Sequence, residues 1–291
     1  MDLTDRVRES CRDIAASARS VSIDFERLDP VEAVPAEPPQ LDRERHYLEG
    51  SRDDVAAYLL TLDAINFGSG WFPTLRKRPG CSGYYTVAWA LADRWRAQGP
   101  LSPAELGSID ARSLAEMLGQ EPDHELMELY ATALRSLGSF LGEQTALGLA
   151  TAAEGSAERL ASMLTSMPFF DDVGFWKRAQ IVPNDLALAG VAGFEDLDRL
   201  TIFADNLVPH VLRMDGVLRY GAGLAARIDA GELLPPGREE REIRACAVHA
   251  CELISARSGV PARVLDTWLW NRGQAPQYKA QPRHRTRTVY Y

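Results

Sequence analysis

The sequence lacks the short signatures of the commonest cofactor chemistries. Its 291 residues contain no HExxH, no P-loop, no GxGxxG and no Cys/His cluster at ligand spacing. Metal-hydrolase, nucleoside-triphosphate and dinucleotide chemistries are therefore without their usual marks, and neither cofactor nor metal is expected. Cysteine is sparse: the four residues Cys11, Cys81, Cys246 and Cys251 have no CxxC spacing and read as buried free thiols. No run approaches the roughly 18 to 20 apolar residues of a membrane span. The N-terminal MDLTDRVRES is charged where a leader would be apolar, so a soluble, cytoplasmic protein is expected. Positive charge is in deficit as well, with 32 Lys and Arg against 41 Asp and Glu and a net charge of -9. That balance disfavours a nucleic-acid backbone, whose binding depends on clustered cations, and favours a small-molecule partner.

Strand-like alternation is scarce too. Apolar residues instead recur at helical spacing, as in Val55, Tyr58, Leu59 and Leu62, or Leu126, Leu129, Tyr130, Ala133, Leu134 and Leu137. Glycine and proline break this pattern at intervals suiting ordinary helices. With 46% hydrophobic residues, the chain can bury a substantial core. The expectation is a mainly α fold with at most a few short strands, one of them near Gly80 to Thr86. It is organised as one domain over 1–291 or as two fused helical subdomains, about 1–144 and 145–291. A long helix is expected from about Thr145 to Thr165, with Glu154 and Glu158 on its solvated face. The proline-rich stretch from Asp29 to Gln40 is expected to run as an extended strap.

Four constellations can carry chemistry. In Asp63-Ala-Ile-Asn66-Phe67-Gly-Ser-Gly-Trp71-Phe72-Pro73, polar Asn66 stands beside three rings on which a base can stack, a contact of roughly 1 to 3 kcal/mol. The same residues also fit a helix C-terminus covered by core aromatics. In the stretch from Pro168 to Gln180, Asp171 and Asp172 adjoin Phe170, Phe175, Trp176, Lys177 and Arg178. That mixture suits the base, donors and phosphate of a nucleotide, or else a capped helix with surface cations. In Leu200 to Leu212, Asp205 sits in an apolar stretch four residues before Pro209. It is either a catalytic carboxylate, strengthened by low dielectric against a developing cation, or the N-cap of the following helix. His210 reads as a hydrogen-bonded packing residue. The C-terminal part brings Asp266, Trp268 and Trp270, then a tail with Arg285, Arg287, Tyr290 and Tyr291. A tail of this kind is expected to dock, its arginines either meeting phosphate or bridging to acidic helices.

The segments DAINFGSGW, GYYTVAWAL, FFDDVGFWKRAQI, LTIFADNLVPHVL, GVLRY, EIRACAVHACELI, LDTWLWN and HRTRTVYY together resemble the queuosine salvage protein family, in the same order and over nearly the whole chain. The resemblance implies a helical fold related to helix-hairpin-helix DNA glycosylases. It also implies hydrolysis of queuosine 5′-phosphate to queuine and ribose 5-phosphate, a salvage step that serves tRNA modification. Carried over by motif, the FAD aspartate is Asp205 and the KRAQ lysine is Lys177. Gly68 and Gly70 stand where the family pattern leads one to expect bulkier residues.

From that resemblance, Asp205 is expected to stabilise an oxocarbenium-like sugar and activate water. A 7-deazaguanine has no N7 to protonate, so help must come from elsewhere. Lys177, with Arg178, is expected to clamp the phosphate. Asp172 and Asp266 are expected to read the donors of the base and its amine. Phe67, Trp71, Phe170 and Trp268 are expected to supply aromatic walls. The rival expectations are turnover of the free nucleoside or another deazapurine, or a non-catalytic queuine- or nucleotide-binding protein. Neither nucleic acid nor membrane is expected as a partner.

Overall fold

Capping side chains set where many of the helices begin. Ser51, Ser82, Ser102, Asp110, Thr145 and Ser156 each accept a hydrogen bond from an amide of the first turn, satisfying donors that a helix leaves unpaired. At Ser51 and Ser102 the bond is reciprocated by Asp54 and Glu105, completing capping boxes.

The computed structural model describes residues 1–29 and 34–291, so part of the expected strap, residues 30–33, lies outside the described residues. Residues 34–40 carry neither helix nor strand. Among the described residues the helices are α1 (Leu3–Ser17), α2 (Arg52–Ala64), α3 (Gly83–Gln98), α4 (Pro103–Ser108), α5 (Ala111–Leu118), α6 (Glu125–Leu141), α7 (Ala146–Ala152), α8 (Ala157–Leu164), α9 (Lys177–Leu188), α10 (Leu207–Met214), α11 (Ala222–Asp229), α12 (Arg238–Ser258), α13 (Ala262–Arg272) and α14 (Pro276–Lys279). Two short strands, β1 (Val21–Ile23) and β2 (Leu218–Tyr220), pair antiparallel with Val21 opposite Tyr220 and Ile23 opposite Leu218. The mainly α expectation is met.

Two local expectations are not. Residues 80–86 form no strand: Ser82 caps α3 there. The expected helix over 145–165 is two helices, because Glu154 and Gly155 both take positive φ, 53° and 75°, and end α7. Asp196 then accepts from Ser156 Oγ and from the amides of Ala157 and Glu158, starting α8 in a new direction. Glu158 is buried rather than solvated and accepts from the Thr4 hydroxyl.

A continuous apolar cluster runs from Leu3 in α1 to Tyr278 in α14. Within it α1 packs on α12, and α2 packs on α6, α7 and α9. Its burial is the main favourable term for folding. Cys11, Cys246 and Cys251 are buried free thiols as expected, whereas Cys81 is half-buried. No helix among the described residues is long and apolar enough to cross a membrane.

The tail threads back into this body. The Tyr291 carbonyl oxygen accepts from the amides of Gly68 and Ser69 at 3.0 and 3.4 Å, and Asn206 Nδ2 donates to His284 O at 3.1 Å. This close approach explains one unexpected glycine, Gly70, and backbone conformation explains the other, Gly68. A Cβ on Gly70 would stand 2.5 Å from Thr286 O, and Gly68 has φ +105°, where side chains are strained.

Candidate functional site

A cleft of about 980 Å³ lies between α9, the Phe203–Leu207 segment, α13, the start of α3 and the tail. Helix α9 turns one face to it, because Lys177, Ile181, Asn184, Asp185 and Leu188 line the cleft at the spacing that keeps residues on one side of a helix. Helix α13 does the same with Asp266, Thr267, Trp270 and Asn271.

Asp205 fills the capping role that its sequence context allowed and also lines the cleft. Its Oδ1 accepts from Leu207 N at 2.7 Å and Val208 N at 3.0 Å, capping α10 and holding negative charge at the helix's positive end. The second oxygen has no protein hydrogen bond among the described residues, and the half-buried side chain lines the cleft. The cap therefore fixes the carboxylate's direction while leaving one oxygen for a ligand.

Lys177 is 4% exposed, and its Nζ donates to Asn66 O at 2.9 Å and Asn66 Oδ1 at 3.2 Å. Burial pulls its ammonium down to about 8 against the opposing pull of Asp205, Asp63 and Asp266. Asp266 accepts from Phe203 N at 2.8 Å. Burial, reinforced by the charge of Asp205, pushes the Asp266 carboxyl well above the usual range. Two further acids stand behind. Asp63 is fully buried with neither oxygen hydrogen-bonded, and burial followed by Asp185 pushes it well up. Burial also pushes Asp185 up to about 6. In each of these acids burial shifts the balance toward the neutral form.

Cations gather elsewhere in the cleft. Lys77, Lys279, Arg283 and Arg285 all line it, and none has a carboxylate partner among the described residues. Burial, then the charges of Arg283 and Arg285, pulls Lys77 down. Burial likewise pulls Arg283 down, with Asp205 opposing. A group of unpaired, mutually repelling cations in a chain of net charge -9 has the electrostatics that suit an anion. Of this group only Arg285 was singled out from sequence; Arg287 instead pairs with Glu125 at 3.1 Å. Arg285 therefore lines the cleft, while Arg287 bridges to α6.

Of the expected site residues, Asp205, Lys177, Asp266 and Phe67 line the cleft, although Phe67 is mostly packed edge-on against Tyr130 with centroids 5.0 Å apart. The others lie outside it. Asp172 is buried in an ion pair with Arg244, which also bonds Ala204 O and Glu240. Arg178, 1% exposed, donates to the carbonyls of Ala64, Phe169 and Val289 and ties three segments together, so its guanidinium is not available to a phosphate. Phe170 packs in the core beneath that guanidinium. Trp71 donates through Nε1 to Glu125 at 2.7 Å. Trp268 is covered by Arg272 at 4.7 Å, while Trp270 faces the cleft. Tyr84 and Tyr85, expected in a strand, line the cleft from α3. His210 bonds Tyr278 O at 2.8 Å, as a packing residue would.

Comparison with known sequences follows this geometry. A family profile described as queuosine salvage protein matches residues 46–291. A protein of Sphaerobacter thermophilus is 36% identical, with 98% of this chain and 97% of that protein aligned. Proteins of Mus musculus and Bos taurus are 28% and 29% identical, each alignment covering 98% of both chains. All three relatives carry the name queuosine 5′-phosphate N-glycosylase/hydrolase.

Proposed function

Because the chain belongs to the queuosine salvage protein family, we propose that its cleft hydrolyses the N-glycosidic bond of queuosine 5′-phosphate, releasing queuine and ribose 5-phosphate. The observation that carries this reading is the pairing of Asp205, capped on one oxygen and open on the other, with unpaired cations in the same cleft.

The chemistry follows from the charges. As the C1′–N9 bond lengthens, its electron pair goes to the base and positive charge grows on C1′ and the ring oxygen. The free oxygen of Asp205 stabilises that charge and orients the attacking water. Water oxygen bonds to C1′ as C1′–N9 breaks, Asp205 takes one water proton, and that proton passes on through solvent to N9 of the departing base, which regenerates the carboxylate. Lys177 lies among Asp205, Asp63 and Asp266 and is held on Asn66, so its role is to keep this acidic wall charge-balanced. The phosphate role that motif and charge gave to Lys177 and Arg178 passes to Lys77, Lys279, Arg283 and Arg285. Asp205 lies near both Lys177 and Arg283, which puts the sugar between the acidic wall and the cation group.

Incubation with queuosine 5′-phosphate, followed by chromatography for queuine and a reducing-sugar assay, tests the reading. Stoichiometric release of both products is expected. Tight binding of the nucleotide with no release over hours would instead make the chain a binding protein.

A further inference from the structure

Asp185 has no ion pair among the described residues, Lys177 acting on its charge only from a distance. Asp185 is 8% exposed and lines the cleft two helical turns beyond Lys177. Its side chain's one hydrogen bond among the described residues is from its neighbour, Asn184 Nδ2 to Asp185 Oδ1 at 3.1 Å, and no Lys, Arg or His makes an ion pair with it there. Asn184 itself is 2% exposed and lines the cleft, and its Oδ1 has no partner. Side by side on α9, the two residues present a free carboxylate oxygen and a free amide oxygen, both nearly buried. An acceptor left without a donor in such surroundings costs stability, which a ligand's donors would recover.

Lining the same cleft are three rings in mutual contact, Tyr84 and Tyr85 from α3 and Trp270 from α13. Their centroids lie 5.4, 5.6 and 5.5 Å apart pairwise, in tilted or edge-on contact. The Tyr84 hydroxyl is fixed on His46 Nε2 at 3.0 Å. Tyr84 is near enough to Asp185 that the carboxylate's charge adds to burial in raising the phenol. The box already holds one cation, since Arg45, paired with Asp42, stacks on Tyr85 at 4.6 Å.

Aromatic faces, a carboxylate without a counter-ion and a spare amide oxygen together suit an organic ammonium carrying N–H donors. The nucleotide of the proposed reaction has one: a secondary amine on the methylene at C7 of the deazaguanine, protonated near neutral pH. We propose that Asp185 and Asn184, walled by Tyr84 and Trp270, bind that ammonium and set the preference for the aminated deazaguanine over the bare one. One N–H goes to Asp185 and the other to Asn184 Oδ1. Burial holds Asp185 up to about 6, so the ligand's charge also keeps the carboxylate ionised at lower pH than in the free protein. This assignment rests on the proposed function for the identity of the ligand.

The guanine edge also offers N–H donors, so the test compares ligands that share the edge and differ in the amine. Affinities for queuine and 7-deazaguanine are measured by titration calorimetry on the full chain. In parallel, kcat/KM is measured for queuosine 5′-phosphate and 7-deazaguanosine 5′-phosphate. Asp185→Asn is expected to lower the preference ratio for the aminated ligand about 30-fold or more, the scale for removing one partner of a buried charge pair. Trp270→Leu should lower the ratio by a smaller factor in the same direction, and it stands in should Asp185→Asn fail to fold. Equal losses on both ligands, leaving the ratio unchanged, would overturn the assignment and give Asp185 to the base edge. Absence of turnover on both nucleotides with the affinity ratio still sensitive to Asp185 would refute the glycosylase reading and leave the ammonium site standing.

Discussion

Lys177 and Arg178 are neighbours in sequence and opposites in structure. Lys177 opens into the cleft among Asp205, Asp63 and Asp266. Arg178, one residue on, points into the core and closes on three backbone carbonyls. Asp172 and Asp205 divide the same way. Asp172 is locked to Arg244, whereas Asp205 gives one oxygen to a helix end and keeps the other free. Charges whose partners are all supplied by the protein hold the fold. Charges left unanswered mark where a ligand belongs.

That contrast can be broken by substitution, beginning with the catalytic side. Asp205→Asn keeps an acceptor for the α10 cap but loses the charge, so kcat is expected to fall by about 10³-fold with nucleotide affinity and unfolding midpoint little changed. Near-normal turnover in that variant would remove the distinction between the two aspartates. On the structural side, Arg244→Met leaves Asp172 and Glu240 buried without their cation. Denaturant unfolding should show a loss of about 3 to 5 kcal/mol, while the fraction that folds retains its kcat.

Arg283→Ala sharpens the contrast within the cleft itself. The KM for queuosine 5′-phosphate should rise roughly 10- to 100-fold, with little change for the free nucleoside. Equal effects on both would show that Arg283 does not meet phosphate.

The smallest effect expected is one of pH. The Asp185 carboxyl is raised from an ordinary value near 3.8 to about 6 in the fold, so the native state holds a proton that the unfolded chain has released. Its contribution to stability is fully present below about 3.8 and is lost as pH rises through about 6. Asp185→Asn should therefore flatten the fall in unfolding free energy across that window. An unchanged slope would mean that Asp185 does not take up the proton.

Much of this division was hidden in the sequence for one geometric reason. Periodicity disclosed the helices, and the Asp-to-Pro spacing marked the α10 N-terminus that Asp205 caps. Composition, however, groups residues by closeness in the chain, and a helix turns about 100° per residue. Arg178 shares a motif with Lys177 yet lies on the core side of that turn, and Phe170 and Asp172 precede α9 in a loop that buries them. Trp268 is two residues from Asp266 and so faces away, whereas Trp270, at i+4, shares its face. Applying the helical spacing outward from Lys177 would have reached Asn184 and Asp185. Lys77 and Arg283 left no such trace, because long-range folding of the tail onto the 66–83 region brings them together. The helix break at Glu154 and Gly155 was equally hidden, since Asp196, which caps the second half, lies some forty residues downstream in the sequence.

The central claim is that the open oxygen of Asp205 meets the sugar at C1′. A crystal structure of the Asp205→Asn variant soaked with intact queuosine 5′-phosphate measures this directly. The account predicts the residue-205 carboxamide at about 3 to 4 Å from C1′ or its attacking water, with the phosphate among Lys77, Arg283 and Arg285. A nucleotide bound with its sugar remote from residue 205, or its phosphate away from those cations, would contradict it.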